Sequence, residues 1–595
     1  MTESSKKRLT FLLLLLILLL AAILRLYGLG AFDLATESGE VGMIADAVLF
    51  EGEYTTSITR AFVYSLHRVP FSAADVHFLT LLTLHFFGPG EFCFRLPVAL
   101  AGVLAVLLTY LLGKELYDRR VGLLAALFLA TSPLHVYYTR MRLIEHFSTI
   151  WITLALLFFW RNENLRAADP SSPVTTLVAW LRGSRYLLLA IAAIWMGSLN
   201  RDGVLMLVPA FVAYLTVTQW PTWLRRRELW IGLCILVSPA LVSVDKVVSF
   251  MQSRFWGGIV GLLQAKGTTW ATLPLAPFKG VALEGYYFWL FHSSLMTLVV
   301  IASLAWLFHK RRRADIYLLC SIGAYSLLFA IYPERHPYYW IFYIPALMIA
   351  PALFLSEAAE QYLIPWVRQR WNGYRLVFPA IILALLLSNG RLLKQSIATS
   401  PWQAPAPEDK CEYNLRLFYH GSFGVAETAD ALVRLAAGRP FIVFSYSQAG
   451  WKSLAIYFSR YPGVNERQLH TVRFPGQDIH LRGPDMSVPA RPFATPLERW
   501  RAGEPSAEID SASVSFWRAS DAAHAGQVER DWLALGGDRV AFWILQYDWE
   551  YVGSPFSTSK IKETLFRLHP GLEPAEIIYY EGKPVYVIYM VQSAE

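Results

Sequence analysis

Apolar runs of bilayer-spanning length, about 20 residues, recur along the chain from residue 9 to residue 390 and then stop. Short polar segments separate them. The pattern predicts about eleven membrane-spanning helices, at 9–28, 94–113, 121–137, 144–160, 186–199, 203–219, 229–247, 286–308, 315–332, 338–356 and 375–390. Past residue 395 the pattern shortens. Phe441 to Tyr446 and Val540 to Leu545 are apolar runs of strand length, whereas Glu427 to Ala437 and Lys560 to Leu568 carry helical spacing. Ile577 to Tyr580 and Val585 to Met590 flank Glu-Gly-Lys, a hairpin signal. The stretch 465–530 is rich in Pro, Ser and charge and predicts loop. The fold class expected is a polytopic α-helical membrane domain, residues 1–394, followed by a water-soluble α/β domain, residues 395–595.

Composition agrees with the pattern. The 595 residues are 55% hydrophobic and only 16% charged, against about 25% charged in a typical soluble protein. The net charge of +8 resides in short clusters between apolar runs, which is how topology is encoded rather than how a nucleic-acid backbone is tracked. With the amino terminus inside, Lys6/Lys7/Arg8, Lys114/Arg119/Arg120, the 161–185 segment, Arg225/Arg226/Arg227, Lys310 to Arg313 and Arg368/Arg370/Arg375 all fall on one side. Shifting the count by one span breaks that order. The expected topology is therefore a multi-pass plasma (inner) membrane protein with a cytoplasmic amino terminus and an extracytoplasmic soluble domain. The first apolar run follows Lys6, Lys7 and Arg8 as a signal peptide would, but no small-residue cleavage site follows it, so it is expected to be a retained helix.

Two long loops occupy the outer face, at 29–93 and 248–285. Within the first, Val41 to Phe50 and Val76 to Phe87 are amphipathic and predict interfacial helices. The four cysteines have no metal-ligand spacing, and no P-loop, nucleotide fingerprint or HExxH pattern is present. No metal ligand set is assigned, although two or three carboxylates on one face leave a divalent ion open.

Charged side chains at span ends are costly, by about 2.5–3.5 kcal/mol at a span centre and less near an interface. Four outer groups therefore stand out. Glu37-Ser-Gly-Glu40 follows the first span and is suited either to general-base chemistry or to helix capping by Ser38. Tyr138 to His146 joins the third and fourth spans; if helical, it puts Arg142, Glu145 and His146 on one face, as a site or as an anchoring ion pair. Asn200-Arg-Asp-Gly203 is a site or a tight turn. Tyr332 to Tyr339 carries Arg335 and His336, donors that match phosphate oxygens. Carboxylates and phosphate-type donors thus share one face beside lipid, which fits a substrate with an anionic head and a hydrophobic tail.

At these residues the sequence resembles the GT-C superfamily of membrane glycosyltransferases, in its protein O-mannosyltransferase and lipid A aminoarabinose transferase group. The most specific stretch runs from Phe87-Gly-Pro-Gly-Glu-Phe-Cys-Phe-Arg95 to Gly102, through Leu111-Leu-Gly-Lys-Glu-Leu-Tyr117, to Ser132-Pro-Leu-His-Val-Tyr-Tyr-Thr-Arg140. Arg335-His-Pro-Tyr-Tyr339 and Tyr343-Ile-Pro345 are similar to the family's late outer loop and following helix. The resemblance implies transfer of a sugar from a polyprenyl-phosphate carrier to an acceptor hydroxyl on a glycan, lipid or protein, with inversion at the anomeric carbon. It implies an acidic base in the first outer loop. Family members usually carry adjacent Asp-Glu there, whereas this chain has Gly39-Glu40, so Glu40 is the first choice and Glu37 the second. A His-Pro-Pro segment common before the second span is replaced by Ala73-Ala-Asp-Val-His77.

By the same resemblance, Glu145 joins the catalytic carboxylates, and Arg335, His336, Arg142 and Arg201 neutralise the departing lipid phosphate. His146, Tyr338 and Asp202 are expected to contact substrate. A lipid-linked-sugar transporter and a non-catalytic envelope-assembly protein are the alternatives. A transporter would place its polar sites near the bilayer midplane, on broken helices within an inverted repeat.

Overall fold

The computed structural model describes residues 3–31, 74–87, 90–141, 145–168, 184–242, 291–331, 337–369, 376–397, 424–439, 441–445, 515–518, 538–546, 565–580 and 582–592, with scattered positions at 282–289 and 526–534. These residues form two compact units. The first comprises the described residues of Met1–Leu29, Tyr64–Thr80 and Phe94–Thr399, and the second includes Leu81–Cys93 and Ser400–Glu595.

The chain opens with α1 (Glu3–Leu26), α2 (Ala74–Phe87), α3 (Glu91–Leu116), α4 (Arg119–Ala130) and α5 (Pro133–Thr139). There follow α6 (Glu145–Ala168), α7 (Arg185–Asn200), α8 (Leu207–Gln219), α9 (Arg227–Val242), α10 (Ser294–Lys310) and α11 (Arg313–Ile331). The series closes with α12 (Ile344–Ala358), α13 (Val377–Ser388) and α14 (Gly390–Ser396). Each expected span overlaps a helix or, for 121–137, the α4–α5 pair. Among the described residues, α1, α3 and the Ile344–Arg368 helix that α12 begins are long and apolar enough to cross a membrane. The pair α4–α5 qualifies as one span bent by 59°, and several of the others are shorter apolar helices.

Local chemistry sets these boundaries. Asp118 caps α4 by accepting hydrogen bonds from Arg120 N (2.7 Å) and Val121 N (2.9 Å). Ser132 caps α5, with Pro133 at the first helical position, so the chain stops and restarts within two residues and the 59° bend follows. Ser293 caps α10, accepting from Met296 N, while its own N–H donates to Asn389 Oδ1 at 2.7 Å between α13 and α14. In the packed unit α6 lies along α7, α4 along α12 and α1 along α4. Gly122 makes the α3–α4 approach possible, since a methyl there would lie 2.6 Å from Tyr110 O.

The second unit is built on one five-stranded sheet, preceded by α15 (Val425–Ala436). Its strands are β1 (Phe441–Ser445), β2 (Ser515–Arg518), β3 (Val540–Gln546), β4 (Glu576–Tyr580) and β5 (Lys583–Gln592). The spatial order is β2-β1-β3-β5-β4, with β1 parallel to β2 and β3, and β5 antiparallel to β3 and β4. Ile442, Phe444, Trp543, Leu545, Val587 and Tyr589 form one buried face with Trp532 and Leu565. The hairpin turns at Gly582, whose φ of 77° a side chain would resist. One expectation is corrected: Ser515–Arg518, inside the stretch read as loop, is a strand. Its ladder partner β1, from the other side of a long connection, supplies what local composition does not.

Candidate functional site

The site is built where α4, α5 and α6 meet the end of α1. All seven residues of α5 are buried. Arg25, in the last turn of α1, is 0% exposed. Its Nη1 donates to Ala21 O (3.0 Å) and Ala130 O (3.2 Å), and its Nη2 to Leu129 O (3.4 Å). Ala130 O and Leu129 O are among the last carbonyls of α4, which have no partner within their own helix, so the guanidinium caps that helix. The same Nη2 lies 2.6 Å from His135 Nδ1. A guanidinium only donates, so Nδ1 accepts and the His135 proton sits on Nε2. Gly102 admits this arrangement from α3: a methyl there would lie 2.7 Å from Thr139 Cγ2 and 2.8 Å from Arg25 Nε.

The far end of α5 is held as well. Thr139 Oγ1 donates to His135 O at 2.6 Å. Arg140, the C-cap residue, donates from Nη2 to Gly28 O (3.2 Å) and from Nη1 to Ser396 O (3.3 Å). Helical structure ends at Thr139, and Arg140 and Met141 are not helical, so the single helical face expected through 138–146 is interrupted; Arg142 lies outside the described residues. His146, the second residue of α6, is 1% exposed, and its ring centroid lies 6.2 Å from that of Tyr138. Among the described residues, neither of its ring nitrogens has a hydrogen-bond partner. At the start of α5, Ser132 Oγ lies 2.9 Å from His292 Nε2, and His292 Nδ1 lies 3.1 Å from Phe288 O. The carbonyl can only accept, so Nδ1 carries the proton and Nε2 accepts from Ser132.

Three of the four groups singled out at span junctions become neighbours. Thr149 Oγ1 of α6 donates to Ile341 O (3.0 Å), tying the start of α6 to the 3-10 turn Pro337–Phe342 in which Tyr338 sits. The Phe342 ring of that turn packs on Gly203, at 3.5 Å from where its β-carbon would stand. Gly203 belongs to the 3-10 turn Asp202–Met206, which Asp202 opens. Arg201 precedes it in extended conformation, half-buried, as the C-cap of α7. Glu145 opens α6 beside His146. Glu37, Glu40, Arg335 and His336 lie outside the described residues, as do the Val41 to Phe50 segment and the 248–281 part of the second loop. Among the described residues no group of three or more His, Cys, Asp or Glu is placed to hold a metal ion.

Arg25, His135 and His292 were not singled out from sequence. Arg25 lies at the exit of an apolar run, where a basic residue is ordinary, and both histidines sit in largely apolar stretches with only hydroxyl residues nearby and no acidic neighbour. The usable signal was His135 within the Ser132–Arg140 stretch, beside Pro133 and four residues before Thr139.

Comparisons with known proteins meet this geometry at the same helices. Residues 75–169, from α2 to the end of α6, match the family described as dolichyl-phosphate-mannose-protein mannosyltransferase. Over 175 residues the chain is 26% identical to the undecaprenyl phosphate-alpha-4-amino-4-deoxy-L-arabinose arabinosyl transferase of Edwardsiella ictaluri (strain 93-146), a match spanning 29% of each protein's length. The crystal structure of ArnT from Cupriavidus metallidurans bound to undecaprenyl phosphate superposes with a TM-score of 0.51 at 16% identity, covering 96% of this chain and 97% of that one. The fold is thus that of a helical membrane protein. The resemblance to the GT-C superfamily, in its O-mannosyltransferase and aminoarabinose transferase group, holds.

Proposed function

We propose that this chain is an integral membrane glycosyltransferase that moves a sugar from a polyprenyl-phosphate carrier to an acceptor hydroxyl on the extracytoplasmic side, with inversion. The observation that carries the reading is the buried imidazole of His146 at the start of α6, with neither nitrogen bonded among the described residues, on a helix whose first turns meet the Pro337–Phe342 turn and the Asp202–Met206 turn. An unsatisfied buried polar group costs about 1–3 kcal/mol, and such groups are retained where chemistry or ligand uses them. Relatives in the matched family and fold bear names and ligands of lipid-phosphate sugar transfer, which supports the substrate class.

In the proposed reaction the acceptor oxygen attacks the anomeric carbon and the carbon–oxygen bond to phosphate breaks. The electron pair stays with the lipid phosphate, and the acceptor proton passes to a carboxylate. Glu40, with Glu37 as second choice and Glu145 in support, is the base. Arg335, His336, Arg142 and Arg201 receive the phosphate charge, and His146, Tyr338 and Asp202 hold the substrate. The amino terminus is cytoplasmic and the α/β domain extracytoplasmic, where it meets the acceptor. The test is incubation of the purified protein in nanodiscs with radiolabelled polyprenyl-phosphate hexoses and pentoses. Release of polyprenyl phosphate with label on the acceptor is the expected result; movement of the lipid-linked sugar across the bilayer without cleavage would make it a transporter.

A further inference from the structure

Arg25 carries a permanent charge at 0% exposure, and among the described residues none of its hydrogen-bond partners is a carboxylate. Burying such a charge is expensive unless its donors are used. They are used on backbone carbonyls of α1 and α4 and on one side chain, His135 Nδ1. The single helix end of α1 therefore grips α5 twice, through Arg25 at its first turn and through Gly28 O, which receives Arg140, at its last. Thr139 Oγ1 closes the span between them onto His135 O. Gly102 leaves no room for α5 to move toward α3. What α5 delivers, six and seven residues past its end, is Glu145 and His146.

We propose that Arg25, acting through His135, positions the α5–α6 junction, and with it Glu145 and His146, for transfer. The proposal rests on the glycosyltransferase reading. His135 serves as the acceptor that fixes α5 against the guanidinium, and its Nδ1 is the atom that matters. Arg25 and His135 are positioning residues; neither is assigned contact with the sugar or the phosphate.

Replacing Arg25 itself risks the fold, because Ala130 O at the end of α4 would lose its donor. His135 gives the cleaner test. In His135→Asn the Oδ1 atom takes the place of Nδ1 and keeps an acceptor for Arg25, whereas His135→Leu keeps bulk and removes it. In full-length protein in nanodiscs, His135→Leu should lower kcat about 10²-fold, the typical consequence of a displacement near 1 Å, with donor KM changed less than about threefold. His135→Asn should restore kcat to within about threefold of wild type. Hydrogen exchange at the amides of 139–150 should quicken in His135→Leu and remain at the wild-type rate in His135→Asn. An Asn variant as impaired as Leu would overturn the proposal, since the imidazole itself would then be required. So would a Leu variant with unchanged turnover and exchange. Should wild-type protein fail to transfer any sugar, the glycosyltransferase reading falls, and the exchange measurement still decides whether Arg25 and His135 hold the junction.

Discussion

His146 at the start of α6 and Glu163 near its end are each 1% exposed, some 25 Å apart at 1.5 Å per residue. Glu163 is saturated. It accepts from Arg226 Nη2 (2.7 Å) and Nη1 (3.0 Å) and from Gln219 Nε2 (2.7 Å), with Arg313 at 3.8 Å. Arg226 in turn donates to Glu228 (2.9 Å) and Gln219 (3.1 Å), and Arg313 to Tyr214 OH (2.7 Å). Nearby, Asp315 at 0% exposure accepts from Tyr117 OH and from three nitrogens of Arg312. Burial, followed by the Asp315 carboxylate, pushes the Tyr117 phenol well above its ordinary range. At the other end of the same helix His146 bonds to nothing among the described residues. A network with every partner in place is scaffolding, whereas the buried donor–acceptor left open is the group that the proposed function assigns to substrate.

The comparison breaks first on stability. Arg226→Ala leaves Glu163 buried with its principal partner gone, which should cost about 3–5 kcal/mol. The expected outcome is a sharply lower melting temperature in detergent, with per-molecule transfer near normal in the fraction that stays folded. Unchanged melting would show that the saturated end is not scaffolding. At the open end the signs reverse. His146→Leu removes unsatisfied groups, so thermal stability should hold or rise, while transfer falls about 10²–10³-fold, the scale of losing one stabilising donor. Parallel losses of stability and turnover would mean that His146 is core. Glu40→Gln should also cut turnover by at least about 10²-fold at unchanged protein level; near-normal turnover would shift the base to Glu37.

The open end of this contrast was legible in the sequence, for a physical reason. Charges at span ends are expensive enough to be informative, so Glu145/His146, Arg201/Asp202 and Tyr338 could be picked out, and the structure sets their backbones in one neighbourhood. Helix positions were legible because apolar runs of bilayer length have few other uses. Arg25 and His135 were hidden because each is unremarkable where it stands; only the close approach of α1 to α5 makes them a pair. Likewise Arg226 read as one more basic residue on a topology-setting loop, and Glu163, the carboxylate that makes it structural, lies on a different helix. β2 was missed because a four-residue strand takes its stability from β1 rather than from its own pattern.

A smaller effect tests how Gly102 admits Arg25. Gly102→Ala forces a methyl against Thr139 and Arg25 Nε and should cost about 1–3 kcal/mol, as overpacking does. If α3 shifts instead, melting will be unchanged and the glycine is not what holds α5 in place.

The finest distinction between the two ends is their response to acid. Burial alone would push the Glu163 carboxyl up, but the Arg226 hydrogen bonds and charge, aided by Gln219 and Arg313, bring it below its ordinary value. A carboxylate whose folded value is depressed stabilises fully above its unfolded value, about 4.3 for glutamate. That contribution is lost as pH falls through the lower, folded value. Melting of the wild-type protein should therefore be flat in this respect from pH 7 to about 5 and decline below about 4.3. Replacing the pair together, as Glu163→Gln with Arg226→Gln, removes the titrating group without stranding its partner, and should flatten that acid limb. If the double variant declines as steeply as wild type, the limb arises from carboxylates elsewhere, and the Glu163 network contributes less to holding the end of α6 than its bond lengths imply.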